Sequence, residues 1–249
     1  TRQFSGALGG PILPGILSFR VAADWREEQS FADFTPYQAR AKGLSAELKQ
    51  IDNPGRFQSF TARGKLLFTP SDDTRALFTL SHSDAYAPQT IQVTRPFADH
   101  VASFPAQPRF RTRADVAIAD ADVRLSDGLT LAFLGSATDF RILRYAALEA
   151  GSALIDGREY SAEPRVKFGT ADNRLSGFVA GLIFRSRQRE EIDFFEGRYR
   201  DRTNTDAIFG EVVFRPDAVF GVTLGARYEE EQRIRTGSAG PFVTDFNRT

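Results

Sequence analysis

The chain has 249 residues with 32 basic and 32 acidic side chains, and it contains neither Cys nor Met. Zero net charge argues against a nucleic-acid binder, which usually leaves a basic footprint. The lack of Cys excludes a disulfide framework, a thiolate metal site and a Cys nucleophile. No run of 18 apolar residues is present, so no membrane-spanning helix is expected. Mean hydropathy is −0.31, which is also compatible with a membrane barrel, because barrel strands alternate lipid-facing and lumen-facing residues.

Period-two alternation dominates the chain and predicts strands with two unlike faces. From Leu17 to Arg26, Leu17, Phe19, Val21, Ala23 and Trp25 share one parity, against Ser18, Arg20, Ala22, Asp24 and Arg26. Between 58 and 68, Phe60, Ala62, Gly64, Leu66 and Phe68 oppose Ser59, Thr61, Arg63, Lys65 and Leu67. Ala76, Phe78 and Leu80 continue the pattern. Across 113–125 the apolar parity changes near Ala119, which predicts a β-bulge. Tyr160, Ala162, Val166 and Phe168 oppose Ser161, Glu163, Arg165 and Lys167. Phe220, Val222, Leu224, Ala226 and Tyr228 oppose Gly221, Thr223, Gly225, Arg227 and Glu229. Several runs reach the ~9–11 residues of a tilted membrane-spanning strand, beyond the ~5–6 of an average strand.

Tight connections rich in Pro, Gly, Asp and Asn are expected at 11–15, 70–74, 126–128, 170–173 and 215–218. Long polar connections are expected at 30–56, 84–110, 145–159 and 189–205, with a tail after 231. Short and long connections alternate, as periplasmic turns and extracellular loops do in membrane barrels. In the first long connection a helix is predicted, with Thr35 as N-cap, Pro36 as first helical residue, Gln38 completing a capping box, and Leu44, Leu48 and Ile51 at helical spacing. The expected fold is all-β: an antiparallel up-and-down meander of about ten strands in one unit, 1–249, forming part of a transmembrane β-barrel.

In such a barrel the polar parity faces the lumen. The lumen candidates are Arg20, Asp24, Arg63, Lys65, Glu163, Arg165, Lys167, Glu211, Arg215, Arg227 and Glu229. They are expected to pair with one another or with a plug, and the basic ones can also attract anionic ligands. Aromatic rings with polar surroundings are expected at the two lipid interfaces. Trp25, Tyr160, Phe184 and Tyr228 belong to the long-loop side, and Phe68, Phe214 and Phe220 to the short-turn side.

The local wording resembles the early barrel region of TonB-dependent receptors. The resemblance rests on four stretches in order. They are Ser5-Gly6-Ala7-Leu8-Gly9-Gly10-Pro11-Ile12; Gly64-Lys65-Leu66-Leu67-Phe68-Thr69-Pro70-Ser71-Asp72-Asp73 with its strand to Ser83-Asp84; Leu175–Phe184, containing Val179-Ala180-Gly181-Leu182; and Phe209-Gly210-Glu211 through Leu224-Gly225-Ala226-Arg227-Tyr228. The family implies a 22-stranded barrel holding a plug. It also implies import of a scarce ligand (a ferric siderophore, a saccharide or cobalamin), driven by TonB-ExbB-ExbD through the plug, and a setting in outer-membrane lipid and lipopolysaccharide. With about ten strands and no Met start, the chain is expected to be a piece of a longer protein, with plug sequence before it and about a dozen strands after it.

No catalytic residue, metal site or cofactor is expected. His82 shares the outward parity of Phe78 and Leu80, and His100 sits in a polar loop; neither has ligand partners at metal spacing. Asp72-Asp73, Glu190-Glu191 and Glu229-Glu230-Glu231 read as solvated acids. Gly6–Gly10 lacks the Lys-Ser/Thr of a phosphate loop. The competing readings are a small outer-membrane barrel enzyme or porin, and a soluble β-sandwich binding module with its apolar parity in a dry core.

Overall fold

The computed structural model describes residues 1–32, 37–38, 50–51, 55–88, 93–101, 109–145, 152–170, 172, 174–192, 197–217, 219–239, 242–243 and 246–248. Alternating side chains produce long strands: β1 (Arg2–Leu13), β2 (Leu17–Gln29), the two-residue β3 (Tyr37–Gln38) and β4 (Gln50–Ile51), β5 (Arg56–Ser71), β6 (Thr74–Pro88), β7 (Arg109–Ser126), β8 (Leu129–Tyr145), β9 (Ala153–Gly169), β10 (Leu175–Ile192), β11 (Gly197–Phe214), β12 (Val222–Ala239), and the short β13 (Phe242–Val243) and β14 (Phe246–Arg248). The ten long strands form one antiparallel meander in the order β1-β2-β5-β6-β7-β8-β9-β10-β11-β12. β13 and β14 pair with β12, and β3 pairs only with β4. Among the described residues β1 and β12 do not meet, so the sheet is open rather than a closed barrel.

The register places all the apolar parities on one face. Phe4 lies opposite Trp25, Trp25 opposite Phe60, Leu66 opposite Phe78, Leu131 opposite Val166, Val166 opposite Val179, and Ile208 opposite Tyr228. This apolar belt crosses the strands obliquely. Followed through the register, the row of Trp25 reaches Thr236 on β12. The continuous apolar run of β12 on that face ends at Tyr228, eight residues earlier in the chain, where Glu230 and Gln232 follow. At the lower edge, the row of Leu17 leads to Tyr228, six residues beyond Val222, where β12 begins. A drop of that size across eight strand spacings corresponds to a strand tilt of about 30°, close to the ~35–45° of membrane barrels. Nine-residue belt segments such as Leu17–Trp25 and Tyr160–Phe168 then rise about 23 Å along the barrel axis, which matches the ~25 Å apolar band of such barrels.

The belt is open to its surroundings: Leu8 is 66 % exposed, Leu80 65 %, Val179 50 % and Leu224 72 %. The whole chain exposes 16179 Å², whereas a compact soluble protein of its 27.6 kDa exposes about 11,000 Å². No second long-stranded sheet covers either face among the described residues. A soluble sandwich therefore does not describe this chain, and the few buried apolar residues, such as Leu143, Leu154 and Ala180, do not form a sandwich core.

The structure corrects several expectations. The register runs unbroken through Ala119, paired with Phe78 and Gly135, so no bulge lies there. Instead, Val116 and Ile118 project from the polar face, and the register shifts all sit beside turns, at 11–13, 68–71 and 124–126. The connection expected at 189–205 is mostly strand: β10 runs to Ile192 and β11 starts at Gly197. Both faces are polar in that stretch, so the apolar signal stops while the pairing continues. The loop helix falls largely outside the described residues; Gln38 and Ile51, assigned to it, stand instead in the β3–β4 ladder. Phe184 faces the polar side, because the belt parity of β10 is Leu175, Val179 and Ile183. Arg215 lies past the end of β11, its backbone N–H donating to the Arg174 carbonyl at 2.7 Å. Phe220 stands in the turn before β12.

The short connections are built from local hydrogen bonds. Gly15 adopts φ +76°, which a β-branched residue would resist. The Asp217 carboxylate accepts the backbone N–H groups of Val219 and Phe220, each at 2.8 Å. The Phe220 bond first, then the Val219 bond, holds its pKa below the ordinary 3.8. A depressed folded value means that the contribution is present above the unfolded pKa and is lost as pH falls through the folded one. The Asp217 carboxyl carbon is therefore expected to titrate below pH 3.8 in a selectively labelled NMR sample. A midpoint at or above that value would contradict the turn.

Candidate functional site

The face opposite the belt carries the expected polar set. Arg20, Asp24, Arg63, Lys65, Glu163, Arg165, Lys167, Glu211, Arg227 and Glu229 all stand there by register; Arg215 does not belong to a strand. Lys167 reaches across β8 to Asp122 at 2.7 Å. Arg75 joins Asp120 at 3.2 Å and Asp122 at 3.9 Å. Asp24 accepts a bond from Gln3 at 3.0 Å. Arg165 pairs with Glu163, and Arg227 with Glu229.

Two of these arginines bracket a pair of rings. The Arg165 guanidinium lies 4.6 Å from the Phe178 ring centre, Phe178 meets Phe209 edge-on at 6.0 Å, and Arg227 lies 5.0 Å from Phe209. This ladder spans β9 to β12 on the polar face. Cation–π contacts of this kind hold long arginine side chains in fixed positions. Higher up, Arg235 is shared by Glu190 at 2.5 Å and Asp201 at 3.0 Å and lies 4.3 Å from the Tyr199 ring.

On β2 and β5 the arrangement differs. Arg20 lies directly opposite Lys65, and Arg63 opposite Ala22. None of these three cations has an ion-pair partner among the described residues. Three cations on one face can receive an anionic ligand or the acids of another protein segment.

Sequence reading had missed Arg75, Asp120, Asp122, Glu190, Asp201 and Arg235. Each has the polar parity of its strand, but its partner lies one or two strands away, so only the register brings the pair together. Most of the aromatics expected at the interfaces stand at the two edges of the belt. Trp25, stacked on Phe4 at 5.8 Å, Tyr160 and Tyr228 stand at the upper edge of the belt. Phe68 and Phe214 stand at the lower edge, and Phe184 is on the other face.

Among the described residues no group of three or more His, Asp or Glu side chains is gathered as a metal site. The closest approach is the pair of His82 Nδ1 and Asp115 Oδ1 at 2.6 Å on the belt face.

No family model matches the sequence. The fold does match solved structures. The ferric yersiniabactin uptake receptor FyuA from Yersinia pestis superposes with a TM-score of 0.70 at 15 % identity, over 99 % of this chain and 40 % of that one. The ferric citrate transporter FecA in its unliganded form gives 0.70 at 12 % identity, over 98 % of this chain and 37 % of the other. BauA, the ferric preacinetobactin receptor from Acinetobacter baumannii, gives 0.61 at 13 % identity, over 99 % and 42 %. The chain thus spans about two-fifths of the length of these proteins. These neighbours carry the names of receptors and transporters, not of enzymes. Nearly the entire chain shares its fold, an antiparallel meander, with part of these proteins.

Proposed function

We propose that this chain is part of the barrel wall of an outer-membrane TonB-dependent receptor that imports a small, scarce ligand. The observation that carries the reading is the oblique, exposed apolar belt of about 23 Å backed by a face of ion pairs. A belt of that height exposed to water would aggregate; in lipid it is the surface that a spanning strand requires. The edge of β1, and the edge of β12 below Arg233, are unpaired among the described residues; unpaired edges are costly in lipid, which supports a place within a larger closed barrel. The ordered resemblance to the receptor family and the superposition on uptake receptors support the choice of a receptor over a porin or a barrel enzyme.

In this reading the polar face lines the lumen. The Arg20, Arg63 and Lys65 cluster meets the acidic surface of a plug or an anionic ligand on its way through. Energy reaches the ligand through TonB-ExbB-ExbD and the plug, as in the family.

The test uses the full-length protein in its own bacterium. It is expected in the outer-membrane fraction after carbonate washing. It should support accumulation of one radiolabelled probe among ferric citrate, a ferric catecholate, cobalamin and maltodextrin, and deletion of tonB should abolish that uptake. Recovery as a monodisperse protein without detergent would overturn the membrane reading; uptake indifferent to tonB would overturn the receptor reading.

A further inference from the structure

On β7 the face opposite the belt carries two β-branched apolar side chains, Val116 and Ile118. The register joins them to others. Leu77 on β6 lies directly opposite Leu67 on β5. It is also diagonal to Ile118, whose direct partner on β6 is Thr79. Leu134 on β8 is diagonal to Ile118 on the other side, where the direct partner is Ser136. These five residues form one apolar island across four strands. The island is open: Ile118 is 37 % exposed and Leu134 47 %. Asp120, which the register sets between Leu77 and Leu134, is held by Arg75 at 3.2 Å. The neighbouring Ser136 and Ser161 hydroxyls bond each other at 2.7 Å. An exposed apolar group of this size on a polar wall marks a contact surface.

The island abuts the three unpaired cations. Lys65 is two residues from Leu67 on β5, directly opposite Thr79 on one side and Arg20 on the other. Arg63 follows two residues further along β5. Like charges set directly opposite one another destabilise a sheet, and Asp24, one row above Arg63, is bonded to Gln3 at 3.0 Å. A single row of the register runs through Arg20, Lys65, Thr79, Ile118 and Ser136. Ile118 therefore lies two strand spacings from Lys65, about 10 Å, and Leu134 three, about 14 Å. The same face of β9–β12 is organised otherwise. There Arg165 and Arg227 pair with Glu163 and Glu229 and cover the rings of Phe178 and Phe209. On β2–β8 neither the cations nor the apolar side chains are matched.

We propose that the inner wall of β2–β8 is a binding site for an anionic amphiphile, a carboxylate joined to an unbranched apolar tail. Its head sits on Arg20, Arg63 and Lys65, and its tail crosses Thr79 to lie on Leu77, Ile118 and Leu134. A purely anionic ligand would leave the island in water, and a purely apolar one would leave three cations without an offsetting charge. Only a molecule with both parts, joined over 10–14 Å or so, meets both. Ligand sites are commonly built this way, with an apolar lining that supplies contact and a few charged groups that fix orientation. The inference rests on the polar face being the lumen of a receptor and deepens that reading by naming a ligand class and its place on the wall.

The experiment uses the full-length protein in nanodiscs and a tetradecanoate that carries a photoreactive diazirine on its tail. Illumination followed by peptide mass spectrometry locates the adducts. They are expected on Leu77, Ile118 and Leu134. They are also expected on the belt residues Phe78 and Ala117, because any apolar tail dissolves in the bilayer. The belt adducts show that each variant is inserted and serve as the reference for counting. R20Q/K65Q is expected to lower labelling of the island at least tenfold relative to the belt. T79E, which sets an acid between the cations and the island, should do the same, and it decides the matter if R20Q/K65Q does not insert. The matching diazirine tetradecanol, which has no charge, should label the belt alone. Unlabelled dodecanoate should compete for the island, and acetate should not. Adducts confined to the belt would overturn the site, as would island labelling that survives both variants, equal labelling by the alcohol, or full competition by acetate. If the protein is absent from the outer membrane, the receptor reading fails; if it is present and the island stays unlabelled, only this inference fails.

Discussion

Val179→Arg is expected to destabilise the full-length protein in bilayers by about 2–4 kcal/mol, the cost of an arginine facing lipid near mid-depth. Val179 is half exposed on the belt face, between Val166 and Gly210 on the neighbouring strands. Three residues on, Leu182→Arg is expected to be tolerated within about 1 kcal/mol, the usual scale of a change that meets a partly solvated opposite charge. Leu182 projects from the other face, paired with Ala207, and lies between the Ala180–Arg165 and Ile183–Ala162 pairs of the β9–β10 ladder, at the level of Glu163. Both substitutions place an arginine at nearly the same height, on opposite faces of β10. Urea unfolding in lipid vesicles, followed by tryptophan fluorescence or gel mobility, separates them. Equal costs for the two would mean that the faces are not lipid and lumen.

The second large effect is expected at Arg235→Ala. This guanidinium holds Glu190 and Asp201 from two neighbouring strands and packs on Tyr199. Its removal leaves two carboxylates facing one another above the belt. The side chains concerned are 17–35 % exposed, so water screens part of the repulsion. A loss of about 1–2 kcal/mol is expected, confined to the upper ends of β10, β11 and β12. Hydrogen exchange there should quicken roughly tenfold, with no change around β5 and β6. Arg235→Lys should recover only part of the protection, since an ammonium cannot fork to both acids. Unchanged exchange would show that the strand ends are held by backbone pairing alone.

Both expectations depend on which face each residue occupies, and most of that was legible from alternation. Side chains in a strand point alternately to two faces, so Leu17 to Trp25 and Phe60 to Phe68 disclose an apolar face directly. That rule also assigned Arg20, Lys65, Arg165 and Arg227 to the opposite face. It failed for Phe184, where an aromatic was assumed to follow lipid although its neighbours Ile183 and Val179 held the belt parity. It failed again at 189–205, where the strand rises above the belt and both parities become charged. An apolar pattern cannot mark a strand that has no apolar side.

Alternation along one strand therefore determines the strand, its two faces and the all-β class, because it depends only on local backbone geometry. Which residues become neighbours depends on the stagger between strands, and a shift of one position would exchange the faces. Only the tertiary structure decides that stagger. It places Lys167 on Asp122 across an intervening strand, joins Arg235 to acids from two others, and sets Arg187 and Arg189 against Arg202 and Arg200. It also turns separate apolar runs into one oblique belt, since the tilt is a relation among ten strands and is written in none of them alone.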